Sequence, residues 1–138
     1  MDLPKGREPT MPQETLGFQV TALQDGKRFS SRHVRTTQPL PDEPRVRAAV
    51  FAYQPDWWHN FSALGLHLRQ LGERRLYIAN LHHAIWLHQP VHGDQWLHVD
   101  SISPASGARR GLAVGAVHNL AGQRVATLTQ ECLLAYPD

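Results

Sequence analysis

The stretch that decides the fold is PDEPRVRAAVFAYQPDWWHNFSALGL, residues 41–66. Its apolar residues Val46, Val50, Tyr53, Trp57, Phe61 and Leu64 recur every three or four positions, the period of one helix face. Asp42-Glu43 stand just ahead of Pro44, where a helix dipole is positive and proline is tolerated. The spacing predicts a helix from Val46 to about Leu66. Pro55 lacks a backbone donor and should kink it just before Asp56.

Either side of this helix the patterning changes to that of strands. Phe18–Leu23 alternates apolar and polar residues, and Gln24-Asp25-Gly26-Lys27 is a hairpin signal. The return strand, Arg28 to Thr37, is so polar that an edge or interface position is expected. Before it, residues 1–16 hold Pro4, Pro9 and Pro12 with almost no apolar content, and read as a flexible tail. After the helix, Arg69–Arg75 reads as a loop. Leu76–Leu87, Gln95–Ile102, Gly111–His118 and Arg124–Tyr136 then read as strands, with Ala121-Gly122 in the last turn. A hairpin, one long helix and four strands make an α+β domain over residues 17–138.

Composition narrows the chemistry. The chain has 138 residues, 41% of them hydrophobic, which is enough for one core. Its net charge is only +2, so nucleic acid is not an expected partner. The single cysteine, Cys132, excludes an internal disulfide framework and multi-cysteine metal sites. No apolar run reaches the roughly 20 residues of a membrane span, and the N-terminus lacks the apolar core of a signal peptide. A cytoplasmic protein is the expectation.

Nine histidines are many for this length, and five of them (His82, His83, His88, His92, His98) fall within 82–98. Their spacing does not suit a metal, because His82 and His83 point to opposite faces of a strand. Surface and interface imidazoles are expected instead. Trp57-Trp58 reads as a core and interface pair, and Arg74-Arg75 and Arg109-Arg110 as solvated surface. Three polar residues stand out. Asp56 lies within a mostly apolar helix, where desolvation would raise its pKa, although a capping role explains it equally well. Gln130 shares the parity of Ala126, Leu128, Cys132 and Leu134. Asn80 shares that of Leu76 and Ile78. Amides on apolar faces need a partner or a ligand.

At these residues the sequence resembles the second half of the acyl-CoA thioesterase II (TesB-like) family. The resemblance runs from Pro39 to Leu134. It is carried by PDEPRVRAAVFAYQPD (41–56), HHAIWLHQPVHGDQWL (82–97), ISPASGARRGLAVG (102–115) and GQRVATLTQE (122–131). It implies a single hotdog over residues 39–136, a helix wrapped by an antiparallel sheet. It also implies hydrolysis of acyl-CoA thioesters by activated water, without metal or other cofactor. The family's catalytic Asp, Thr and Gln fall on Asp56, Asn80 and Gln130. The chain departs from the family pattern at three positions in and beside these. Asn80 replaces Thr, His82 stands in place of Asp, and Pro55 precedes the Asp. Residues 17–38 resemble a hairpin from the family's first half that runs directly into the second, so an internally shortened relative is expected. One hotdog leaves a sheet edge and a helix face uncovered, so a homodimer is expected. The alternative expectation is a catalytically impaired remnant that binds acyl-CoA or a partner subunit. A hotdog dehydratase using Asp56 and His59 is the third.

Overall fold

The computed structural model describes residues 18–25, 29–55 and 77–135. The expected tail, the turn at 26–28, and Asp56, Trp57, Trp58, His59, Arg74 and Arg75 lie outside those residues. The hairpin forms where its pattern places it. Phe18–Asp25 (β1) pairs antiparallel with Phe29–Thr36 (β2), with Phe18 opposite Thr36 and Asp25 opposite Ser30.

Helix α1 is described over Pro44–Tyr53. Pro44 begins it, and the Glu43 side chain caps it by accepting from the Arg45 amide at 3.4 Å. Gln54 is its C-cap; it keeps helical dihedrals (φ −57°, ψ −44°), its N–H still donates to the Val50 carbonyl, and Pro55 beyond it is helical as well. The expected continuation toward Leu66 lies outside the described residues. Within α1 the buried positions are not those of the apolar stripe. Phe51 and Gln54 are buried, whereas Val46 is 38% and Tyr53 48% exposed. Polar anchoring sets this rotation. Arg47 Nη1 lies 3.3 Å from Asp94 Oδ1 and 2.6 Å from His92 Nδ1, and its Nε donates to the Pro41 carbonyl. These bonds hold the Arg47–Gln54 side of the helix against residues 91–94. Hydropathy counting weighs none of them.

Four further strands follow: Tyr77–Leu87 (β3), Leu97–Gly107 (β4), Arg110–His118 (β5) and Arg124–Ala135 (β6). The sheet is antiparallel in every pair and ordered β1-β2-β4-β5-β6-β3. Of the two positions expected for polar β2, the edge is ruled out: β2 lies between β1 and β4, and Ser30, Ser31, Arg32, His33 and Thr36 are all buried. Side-chain bonds compensate several of these groups, including Ser31 Oγ to His98 Nε2 at 3.4 Å and Thr36 Oγ1 to the Gln38 carbonyl at 2.8 Å. Strand β4 runs five residues beyond Ile102 because Pro104 sits in a bulge, where its missing donor does no harm.

Phe51 packs on the inner face of the sheet with Val34, Leu97, Val99, Val117 and Leu128. Burying each such side chain contributes about 1.5–3 kcal/mol. Gly122, at φ +80°, makes the β5–β6 turn. The β4–β5 turn has no glycine at its two central positions. Ala108 and Arg109 sit at φ 52° and 65°, as a two-residue hairpin of this hand requires. L-residues pay about 1–2 kcal/mol for that conformation. Replacing Ala108-Arg109 by Asn-Gly is expected to stabilise the fold by about 1 kcal/mol. A higher urea midpoint at unchanged slope checks this, and an unchanged or lower midpoint refutes it.

Candidate active site

Strand β6 presents Leu128, Gln130, Cys132 and Leu134 to the inner face, all buried. Gln130 is fully enclosed. Its neighbours in the cross-strand row are His83 of β3 on one side and Ala113 of β5 on the other. Directly opposite residues of an antiparallel pair share a face. The inner face of β5 carries little side chain here, with Gly111 opposite Cys132 and Gly115 opposite Leu128.

Asn80 pairs with Cys132, and the register shifts between Asn80 and His82. This bulge leaves Asn80 and His83 on one face although they stand three positions apart, an offset that puts residues of a regular strand on opposite faces. Gln130 Nε2 donates to Asn80 Oδ1 at 2.5 Å. The two amides predicted from sequence are therefore brought together. Only Gln130 is buried, however. Asn80 is exposed, and β3 is the outermost strand of the described sheet. Gln130 Oε1 is buried and has no hydrogen-bond partner among the described residues. Asp56, the third predicted member, lies outside the described residues. Gln54, two positions before it, is fully buried with neither amide atom bonded among the described residues.

His83 was not singled out by sequence reasoning, which weighed it only as one of several histidines. The signal that would have found it is the pairing of Leu76–Leu87 with Arg124–Tyr136 in register, counted through the bulge. Cys132 adjoins the site but is a poor nucleophile, because burial pushes its thiol above the usual range.

The remaining histidines disperse. His88 Nε2 lies 2.8 Å from Thr127 Oγ1, and His92 faces Arg47. Among the described residues no group of three His, Cys, Asp or Glu is placed to hold a metal. A cleft of about 710 Å3 opens between the start of α1 and the end of β3, lined by Arg45, Ala48, Leu87, His88, Pro90 and Val91. It begins seven residues along β3 from Asn80, roughly 23 Å away, and so is separate from the Asn80–Gln130 pair. Among the described residues no helix is long and apolar enough to cross a membrane.

On the other face of β2 and β4, His98 Nε2 lies 3.0 Å from Asp100 Oδ1, and its Nδ1 3.2 Å from His33 Nε2. With the carboxylate fixing His98 as donor at Nε2, its Nδ1 accepts from His33. His33 Nδ1 is then a buried acceptor without a partner among the described residues. Burial and the nearby His98 lower the His33 pKa, and Asp100 opposes them. A base with a depressed folded pKa takes up its proton first in the unfolded chain. Its contribution to stability is therefore full above about pH 6.5, the ordinary imidazole value, and is lost as pH falls below it. Thermal midpoints should drop between about pH 6.5 and 5, and His33→Gln should flatten that drop. An equal slope in variant and parent would count against this assignment.

Comparison with known proteins completes the picture. The acyl-CoA thioesterase family model matches residues 12–133. The chain is 30% identical over 105 residues to acyl-CoA thioesterase 2 of Haemophilus influenzae, a match covering 75% of this chain and 36% of that protein. The acyl-CoA thioesterase II TesB2 structure from Mycobacterium marinum superposes with a TM-score of 0.77 at 27% identity, covering 100% of this chain and 59% of that one. The tesB protein of Mycobacterium avium subspecies paratuberculosis gives 0.77 at 23% identity, with 99% and 54% covered. The fold is thus the α+β hotdog, and the chain spans between about a third and three-fifths of these relatives.

Proposed function

Since the chain belongs to the acyl-CoA thioesterase family, we propose that it hydrolyses the thioester of acyl-CoA by attack of a water molecule activated by Asp56. The observation that carries this reading is the state of Gln130. It is fully buried, its Nε2 is spent on Asn80 Oδ1, and its Oε1 is an open acceptor. A buried acceptor held in one orientation suits a water that must donate to it.

In this reading Asn80 locks the Gln130 amide, and Gln130 Oε1 takes one hydrogen of the water. Asp56 accepts the other as the oxygen attacks the thioester carbon. The tetrahedral species collapses with its C–S electron pair going to sulfur, which takes up the proton held on Asp56 and leaves as CoA thiol, regenerating the carboxylate. The acyl group leaves as the free acid. Fixing the water in this way makes its attack effectively intramolecular. No covalent enzyme intermediate is required, and the raised pKa of Cys132 gives none a foothold.

The test follows thiol release from an acyl-CoA series. Gln130→Ala is expected to cost about a hundredfold in kcat, and Asp56→Ala at least as much. Turnover that survives both substitutions refutes the mechanism. Acyl-CoA binding without thiol release at any chain length would favour a binding module instead.

The working unit in this reading is a homodimer. The eleven-residue strand β3 is at the sheet edge, and Tyr77, Ile78, Leu81, Trp86 and Leu87 along it are 36–58% exposed. A long apolar edge left open is an aggregation hazard, and pairing with a second copy removes it. A lone free cysteine, Cys132, supports a cytoplasmic setting. Light scattering on a sizing column should give twice the 15.6 kDa of the chain. A species of chain mass alone would exclude the dimer.

A further inference from the structure

Gln130 Oε1 lies at the centre of a cross-strand row whose other members are Ala113 and His83. Ala113 offers no polar side-chain atom, so anything held in front of Oε1 must find its second contact elsewhere. His83 is directly opposite Gln130 on the inner face, with Cβ atoms of such pairs about 5 Å apart. Its Nε2 is sealed from solvent although the residue as a whole is only half-buried. The bulge before His82 keeps Asn80 on the same face, so the three side chains converge on one patch of the sheet.

We infer that His83 is a further catalytic residue of this site, donating a ring N–H to the oxygen of the attacking water. The inference rests on the hydrolase reading above. The hydrogen bonds of that water then balance. Its two hydrogens go to Gln130 Oε1 and Asp56, one lone pair accepts from His83, and the other attacks the thioester carbon. No proton leaves the imidazole. A ring donor also cannot compete with the amide for the hydrogens of the water, which a second acceptor in this place would do.

The test removes the donor and then restores one. His83→Phe should lower kcat about a hundredfold, with KM within about threefold of the parent. His83→Gln keeps an N–H donor and should recover at least about tenfold of that loss. Because both residues hold one water, the double variant His83→Phe/Gln130→Ala should fall little below the weaker single variant. Circular dichroism melts confirm folding, and His83→Met serves as the donor-free variant if the phenylalanine is not accommodated. A donor-free variant that keeps kcat within about threefold, or losses that multiply in the double variant, overturns the role. A parent protein inert toward every acyl-CoA overturns the hydrolase reading and this role with it. An active parent matched by His83→Phe overturns the role alone.

Discussion

The register of β6 between β5 and β3 is the constraint on which the rest depends. Gln130 and Glu131 are consecutive, so they face opposite sides of the sheet. In the observed register Gln130 is enclosed and Glu131 reaches Arg110 at 2.7 Å on the other face. A slip of one residue would exchange them, placing a carboxylate between buried Leu128 and Cys132 on the inner face. Burying an unpaired charge costs far more than burying an amide that has one partner. The pairings Gln130–His83 and Gln130–Ala113 are therefore pinned by the chemistry of two adjacent side chains as well as by backbone bonds. The same register places Asn80 within reach of Gln130 Nε2.

Much of this was legible before any coordinates. The period-2 stretches became strands, the Asp-Gly signal became the β1–β2 hairpin, and the parity of Gln130 gave its face correctly. Three features were not legible, and each turns on a property that a linear pattern does not carry. Polarity pointed to an edge or an interface for β2. Cross-strand side-chain bonds from Ser31 and His33 to His98 instead let it lie inside the sheet. The apolar stripe of α1 pointed to Val46 and Tyr53 as inward. The bonds of Arg47 to Asp94, His92 and the Pro41 carbonyl turn the helix to bury Phe51 and Gln54. Parity made Asn80 a buried amide, but parity reports a face and not a position in the sheet, and β3 is the outermost strand of the described sheet.

The family resemblance and the physical reading agree on Gln130 and Asn80 for different reasons. The resemblance supplies roles by matching motifs. The structure supplies a bonded pair, one member of which is enclosed with an unused acceptor. Where the family pattern has a threonine, Asn80 offers an amide oxygen to Gln130 Nε2 at 2.5 Å. A hydroxyl could also accept there, so the substitution preserves the anchoring of the glutamine. It changes the reach of the side chain by one heavy atom, and the bulge at the same point in β3 is where the strand can absorb such a change.

Assembly and chemistry meet at β3. This strand supplies Asn80 and His83 to the candidate site and also forms the open edge of the sheet. A hydrogen bond between exposed groups competes with water and contributes little, whereas the same bond in a dry setting is strong. With β3 uncovered, the Asn80 end of the amide pair stands in solvent while the Gln130 end does not. A second chain pairing along β3 would cover Ile78, Leu81 and Trp86 and would move Asn80 into a drier environment. The apolar exposure and the exposed member of the amide pair, Asn80, thus lie on the same eleven residues. In the hydrolase reading, dimerisation is then a condition for a fixed, desolvated water as much as for a stable fold.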